Sequence, residues 1–201
     1  MRAFGYARAD ALEPALASLA QSDATILAGG TELLNWLRLG VASPDRVLDI
    51  THIPDLDALA PLPNGGLRIG ALAKLNDVGE HEAVIHDYPA LSEAILKAAS
   101  AQLRNLATIG GNLLQKTRCA YFRAEEALPC NKREPGSGCS ARNGFNDRHA
   151  LFGWSEACVA VHPSDPAVAL AALDAAVVVR SVRGERRIPL VDLHDLPGET
   201  P

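Results

Sequence analysis

No run of this chain approaches the ~18 consecutive apolar residues that a membrane-spanning helix needs, so membrane insertion is not expected. Positive charge is also short. Nineteen Lys and Arg face 24 Asp and Glu, for a net charge of −5, which argues against the basic stripe of a nucleic-acid binder. Met1 to Tyr6 lacks the apolar core of a signal peptide. Synthesis and folding in the cytoplasm are expected, although a chain without a signal can still be exported with a partner that carries one. The dinucleotide fingerprint G-x-G-x-x-G is missing, and so is a P-loop lysine. No Ser/His/Asp or Cys/His constellation follows from spacing, and no general acid or base is evident. His52, His81, His86 and His149 lie in polar or loop contexts and are expected to be solvated.

What is present describes a globular chain. Its 201 residues, 48% hydrophobic and 21% charged, suffice for one domain or two small subdomains. Leu12, Leu16 and Leu19 recur at helical spacing, with Asp10 placed to cap the helix. Thr25–Ala28 reads as a buried strand, broken by Gly29-Gly30-Thr31. Glu32–Leu39 reads as a helix stopped by Gly40, and Arg46–Ile50 as the next strand. Prolines and Gly65-Gly66 mark loops and a hairpin before Leu67–Leu72, with a soft boundary near residue 55. A short helix is expected at Lys74–Glu80 and a longer one at Pro89–Ser100. Beyond Asp165 come a helix over Val168–Leu173, a strand over Ala175–Val182 and a returning strand over Arg186–Leu190. The end, Asp195 to Pro201, is rich in turn residues. There is no internal repeat.

Four motifs carry chemistry. The first is Leu27-Ala28-Gly29-Gly30-Thr31-Glu32-Leu33, a strand entering a glycine pair and then a helix. Unpaired amides at such a turn can hold a phosphate, and glycine lets the backbone approach it closely. A plain strand-to-helix turn is the duller explanation. The second is Thr108-Ile109-Gly110-Gly111-Asn112-Leu113, which repeats the device. Two such turns in one small chain suggest two backbone cradles converging on an elongated ligand with a pyrophosphate. The third is His162-Pro163-Ser164-Asp165. Here Ser164 or Asp165 caps a helix beginning near Pro166, or Asp165 accepts a hydrogen bond from a ligand.

The fourth motif is the set of cysteines. Cys119, Cys130, Cys139 and Cys158 follow a C-x10-C-x8-C-x18-C pattern, with none earlier in the chain. Disulfides are disfavoured without an export signal. Structural zinc sites use knuckles two to four residues apart, and no such pair exists. An iron–sulfur cluster needs four thiolates with more variable spacing. Tyr121, Phe122, Phe145, Phe152 and Trp154 are expected to build an apolar shell around it. Pro129 and Pro135–Gly138 supply tight, non-helical backbone.

The two glycine motifs resemble those of the FAD-binding subunits of molybdenum hydroxylases, the xanthine dehydrogenase and carbon monoxide dehydrogenase family, over residues 1 to about 195. Arg118-Cys119-Ala120-Tyr121-Phe122-Arg123, Pro129-Cys130, Lys132 to Cys139, Cys158 and Ala160 to Asp165 resemble most the flavin subunit of heterotrimeric bacterial aldehyde oxidoreductases. The resemblance implies an α+β, two-subdomain FAD-binding fold of the vanillyl-alcohol-oxidase/molybdopterin-dehydrogenase type. Residues 1–55 would form the first subdomain and 56–195 the second, with an iron–sulfur insertion at 117–160. It implies FAD binding by Ile26, Leu27, Ala28, Gly29, Gly30, Thr31, Glu32, Leu33, Leu34, Thr108, Gly110, Gly111, Asn112 and Asp165. It also implies a [4Fe–4S] cluster on Cys119, Cys130, Cys139 and Cys158, and nearness of Asn112 to Asp165. Glu32 stands where an aspartate is often found in that loop.

The implied partners are a molybdenum-cofactor-binding large subunit and a [2Fe–2S] small subunit. The implied activity is oxidoreductase, with electrons passing through FAD to an external acceptor. The family usually continues with a C-terminal α/β domain of about a hundred residues, which is expected to be absent after Pro201. Two other classes stay open on the residues alone: a zinc-stabilised interaction module and a stand-alone flavin oxidoreductase. The aldehyde, the final acceptor and the compartment are not encoded in this chain.

Overall fold

The computed structural model describes residues 1–198. The first third is built on a three-stranded parallel sheet of β1 (Gly5–Arg8), β2 (Ala24–Leu27) and β3 (Arg46–Asp49), in the order β1-β3-β2. Side chains alternate along a strand, so neighbouring Val47 and Leu48 of β3 serve opposite faces. Leu48 joins Ala15 of α1 (Leu12–Gln21) in one core cluster, and Val47 joins Leu33 and Leu37 of α2 (Leu33–Leu39) in another. The leucine stripe of α1 is half-buried: Leu12 and Leu19 pack against that cluster, and Ala15 is the buried residue of the helix. Its cap is different: Ala11 is the N-cap residue with no side-chain hydrogen bond, and Asp10 pairs with Arg8 at 3.0 Å. Gly40 closes α2 in the left-handed conformation (φ 68), donating to the Trp36 carbonyl.

A hairpin follows, β4 (Leu59–Pro61) with β5 (Leu67–Ile69). Five helices come next: α3 (Leu75–Gly79), α4 (Glu82–Asp87), α5 (Pro89–Lys97), α6 (Ala101–Arg104) and α7 (Ile109–Leu113). The helix expected over Pro89–Ser100 stops at Lys97, because Ala99 turns to φ 51 and redirects the chain into α6. After a long irregular segment come α8 (Asp165–Ala172) and a second hairpin, β6 (Ala176–Ser181) with β7 (Gly184–Pro189). Leu75, Val78, Val84, Leu91, Ile95, Ile109 and Leu113 form the largest core cluster with Ala167, Ala169 and Leu190. Of the turn-rich end, Glu199, Thr200 and Pro201 lie outside the described residues. Among those described, no helix is long and apolar enough to cross a membrane.

Candidate functional site

The two glycine turns meet. A Cβ placed on Gly29 would lie 2.0 Å from the Leu106 carbonyl oxygen, so only glycine lets the β2–α2 turn touch the strand of chain that enters α7. They do not offer the same groups to a ligand. In the first turn, among the described residues, no acceptor takes the amides of Gly29, Gly30, Thr31, Glu32 and Leu33. A run of unpaired N–H groups is what an anion needs. In the second turn the Gly110 amide donates to Ala71 O at 2.9 Å, Gly111 to the Thr108 hydroxyl at 3.2 Å and Asn112 to Thr108 O at 2.8 Å. Thr108 is a buried N-cap, and the expected second amide cradle is one turn of helix whose donors are already used. What remains open there is the exposed face of Gly111 and the Nδ2 of the Asn112 side chain.

That side chain leads to the third motif. Asn112 Oδ1 accepts from the Ser164 hydroxyl at 2.5 Å, and Ser164 Oγ accepts from the Ala167 amide at 3.0 Å. Ser164 is thus the N-cap of α8, and it is buried. Asp165 sits exposed in the first turn of that helix. Beside it, His162 Nε2 and His194 Nε2 lie 3.1 and 2.7 Å from the Leu113 carbonyl. The last residues of α7 and the residues before α8 are therefore pinned together, although the whole cysteine segment separates them in sequence.

Glu32 has a specific partner. Its carboxylate does not cap its own helix. It reaches Arg123 Nη2 at 2.7 Å and Arg118 Nη2 at 3.3 Å, and the Glu32 and Arg123 side chains are only 17% and 18% exposed. Arg123 also donates to the carbonyls of Thr117 and Lys116. One turn further along α2, Trp36 meets Phe122 edge to face, with ring centroids 6.5 Å apart. The first glycine turn and the cysteine segment are thus clamped to the same helix.

Between Leu113 and Asp165 there is no helix or strand. The segment is folded by isolated bridges, Cys130 with Cys139 and Ser155 with Cys158, and by Asn131. Asn131 Oδ1 accepts from the amides of Gly136 and Gly138, and its Nδ2 donates to Ala157 O. All four cysteines line one small cavity, together with Phe122, Ala141, Val159 and His149. Burial pushes the Cys119 and Cys158 thiols up, and the nearby Cys130 and Cys139 add to this. Backbone N–H groups of Phe122 and Tyr121 at Cys119, and of Ala160 at Cys158, pull the other way. Among the described residues, no three His, Cys, Asp or Glu side chains stand close enough to form a ready-made metal-binding group. The four cysteines named by the resemblance thus share one cavity without forming a site for a single metal ion.

Two expectations about this segment are corrected. The apolar shell does not use five aromatics. Phe122 is buried, but Phe145 and Phe152 are 90% and 89% exposed and Trp154 is 47% exposed; small side chains such as Ala141 and Val159 do the lining instead. His149 is not a solvated histidine. It is half-buried, its Nε2 is 3.2 Å from Cys119 Sγ, and its Nδ1 is buried without a hydrogen-bond partner. Sequence reasoning also missed the roles of Arg123 and Asn131. No spacing rule links Glu32 to a residue 91 positions away. The only local signal for Asn131 is a two-sided amide placed between a cysteine and the glycines of Pro135–Gly138.

Comparison with known proteins places the chain in a family. The family model for the FAD binding domain in molybdopterin dehydrogenase matches residues 2–201. The chain is similar to the aldehyde oxidoreductase FAD-binding subunit PaoB of Escherichia coli (strain K12). The two are 48% identical over 203 residues, which take in 100% of this chain and 63% of that protein. It is also similar to the 6-hydroxypseudooxynicotine dehydrogenase complex subunit alpha of Paenarthrobacter nicotinovorans, 31% identical over 94% of this chain and 50% of that one. A solved structure of carbon monoxide dehydrogenase from Hydrogenophaga pseudoflava superposes with a TM-score of 0.66 at 26% identity, covering 98% of this chain and 55% of that chain. The chain thus spans between half and two thirds of the length of these relatives. Matched across residues 2–201, the chain belongs to the FAD-binding domain family of the molybdopterin dehydrogenases.

Proposed function

We propose that this chain is the FAD-binding, electron-transferring part of a molybdenum-dependent aldehyde oxidoreductase, and that it carries a [4Fe–4S] cluster as well. The observation that carries the flavin reading is the run of unpartnered amides from Gly29 to Leu33, held against the second glycine turn. Those amides would take the pyrophosphate. Ile26 to Ala28 and Leu34 would flank it. Gly111, Asn112 and the exposed Asp165 would meet adjoining parts of FAD, with Thr108 and Gly110 fixing that turn. Bound FAD supplies the redox chemistry; the chain supplies placement and a controlled environment. Residues 1–55 and 56–195 would be the two subdomains of the site. The nature of the substrate rests on the 48% identity to a protein named as an aldehyde oxidoreductase subunit. A molybdenum-cofactor-binding large subunit and a [2Fe–2S] small subunit are the proposed partners.

The cluster reading is supported by the donor set. Four thiols border one apolar cavity, and Cys158 Sγ accepts the Ala160 amide at 3.4 Å. Backbone N–H···S bonds and a dry wall are the surroundings that thiolate-bound iron requires. The long spacings disfavour a zinc knuckle. Cys119, Cys130, Cys139 and Cys158 would be the ligands, and residues 117–160 the insertion that presents them. Metal binding requires the thiols to ionise, so the protonated state favoured by burial belongs to the metal-free chain.

Anaerobic co-purification with the partner subunits, followed by iron and flavin quantification, tests both parts. Flavin together with iron is the expected result. Cys139→Ser should lose the iron and keep the flavin. A protein holding zinc and no iron would overturn the cluster reading, and one without flavin absorbance would overturn the whole proposal.

A further inference from the structure

The geometry points to His149 as a positioning residue that sets the reduction potential of the cysteine-bound centre through an N–H···S hydrogen bond to Cys119. The inference rests on the cluster reading above. His149 lines the four-cysteine cavity but is not needed as a ligand, since four thiols already satisfy the four corners of the proposed cluster. Its Nε2 lies 3.2 Å from Cys119 Sγ, within reach of a hydrogen bond to sulfur. Its other nitrogen, Nδ1, is buried and has no partner among the described residues.

On the cluster reading the tautomer follows. A neutral imidazole carries one N–H and one bare nitrogen. Ionised Cys119 is an acceptor only, so the proton belongs on Nε2, facing the sulfur. The bare Nδ1 then faces a wall that offers it nothing. The backbone amides of Phe122 and Tyr121 already favour negative charge on the same sulfur. His149 adds a side-chain donor from a different part of the segment, 30 positions away. Hydrogen bonds to ligand sulfurs stabilise added negative charge on the centre and so favour its reduced form. His149 therefore raises the potential at the Cys119 corner.

The test is potentiometric titration, followed by electron paramagnetic resonance, of the full chain purified anaerobically with its partners. Wild type is compared with His149→Phe, His149→Ala and His149→Gln. Phe keeps a ring without a donor, Ala removes both, and Gln keeps an N–H donor. With iron and flavin retained, Phe and Ala should shift the midpoint to more negative values. The expected size is about tenfold in the oxidised-to-reduced ratio at fixed potential, about 59 mV for one electron. Gln should return it toward wild type. Unchanged midpoints in the Phe and Ala variants would overturn the proposal while leaving the cluster intact. So would loss of iron alone in all three variants, which would make His149 a ligand. Wild-type protein without iron would instead sink the cluster reading itself, and the two failures are distinguished by that first measurement.

Discussion

A methyl group on Gly29 would collide with backbone, not with a side chain that can swing aside. The nearest atoms are the carbonyl oxygen and carbon of Leu106, at 2.0 and 2.9 Å. Gly29→Ala therefore has to push the two turns apart. Overpacking costs about 1–3 kcal/mol, and a backbone obstacle places this site at the upper end. The expected result is a lower Tm and a lost or much reduced FAD content; thermal unfolding and the flavin-to-protein ratio check both. An unchanged Tm would show that the turns do not touch. The glycine pair was readable in the sequence because glycine has few other uses after a strand. Its contact with Leu106 was not, since any residue type can supply a carbonyl. His149 shows the same limit from the other side: a lone histidine in a loop carries no local pattern, and its sulfur neighbour lies far along the chain.

At the scale of elements, α2 joins the flavin turn to the cysteine segment. Its first turn holds the Glu32–Arg123 pair and its middle holds the Trp36–Phe122 contact. Exposed ion pairs contribute ~0–1 kcal/mol, whereas removing one partner of a buried pair costs ~3–5 kcal/mol. Glu32 and Arg123 are mostly covered, so Arg123→Met should cost about 2 kcal/mol, between those limits. Chemical denaturation measures this. In a double-mutant cycle with Glu32→Gln, the second substitution should cost clearly less in the Arg123→Met background. Additive effects would mean the pair contributes nothing. The helices and strands with a long apolar pattern were legible in outline: α1, α2, β3, α5 and β6 all stand close to where their patterns put them. β1 was missed because Gly5-Tyr6-Ala7-Arg8 is short and mostly exposed at the sheet edge. α4 and α6 are short helices, with too few turns to print a period. The second glycine turn was misread for a related reason. Thr108 caps α7, and a helix of five residues looks like a loop when two of them are glycine.

For the whole molecule, order in the cysteine segment depends on few regular hydrogen bonds and, on the reading above, on metal. Removing iron should leave the parallel sheet and the α3–α8 core folded while loosening residues 117–160. Limited proteolysis before and after chelation tests this: new cuts should fall in that span, with circular dichroism nearly unchanged. Cuts spread through the core would mean that the segment supports the entire fold. The overall α+β class and the flavin family followed from two short motifs. The interior of the segment did not, because irregular backbone is specified by individual contacts such as those of Asn131, and these leave no periodic trace. Its junction has a further consequence. His162 reaches Leu113 O, and Ser164 reaches Asn112, so the segment leaves and re-enters the body at one point. Closing a flexible loop costs only about 0.6 kcal/mol more for each doubling of its length. What hangs from that doorway beyond Arg123 can therefore be lengthened or shortened at little cost to the flavin turn, provided that Phe122 and Arg123, which hold Trp36 and Glu32, stay in place.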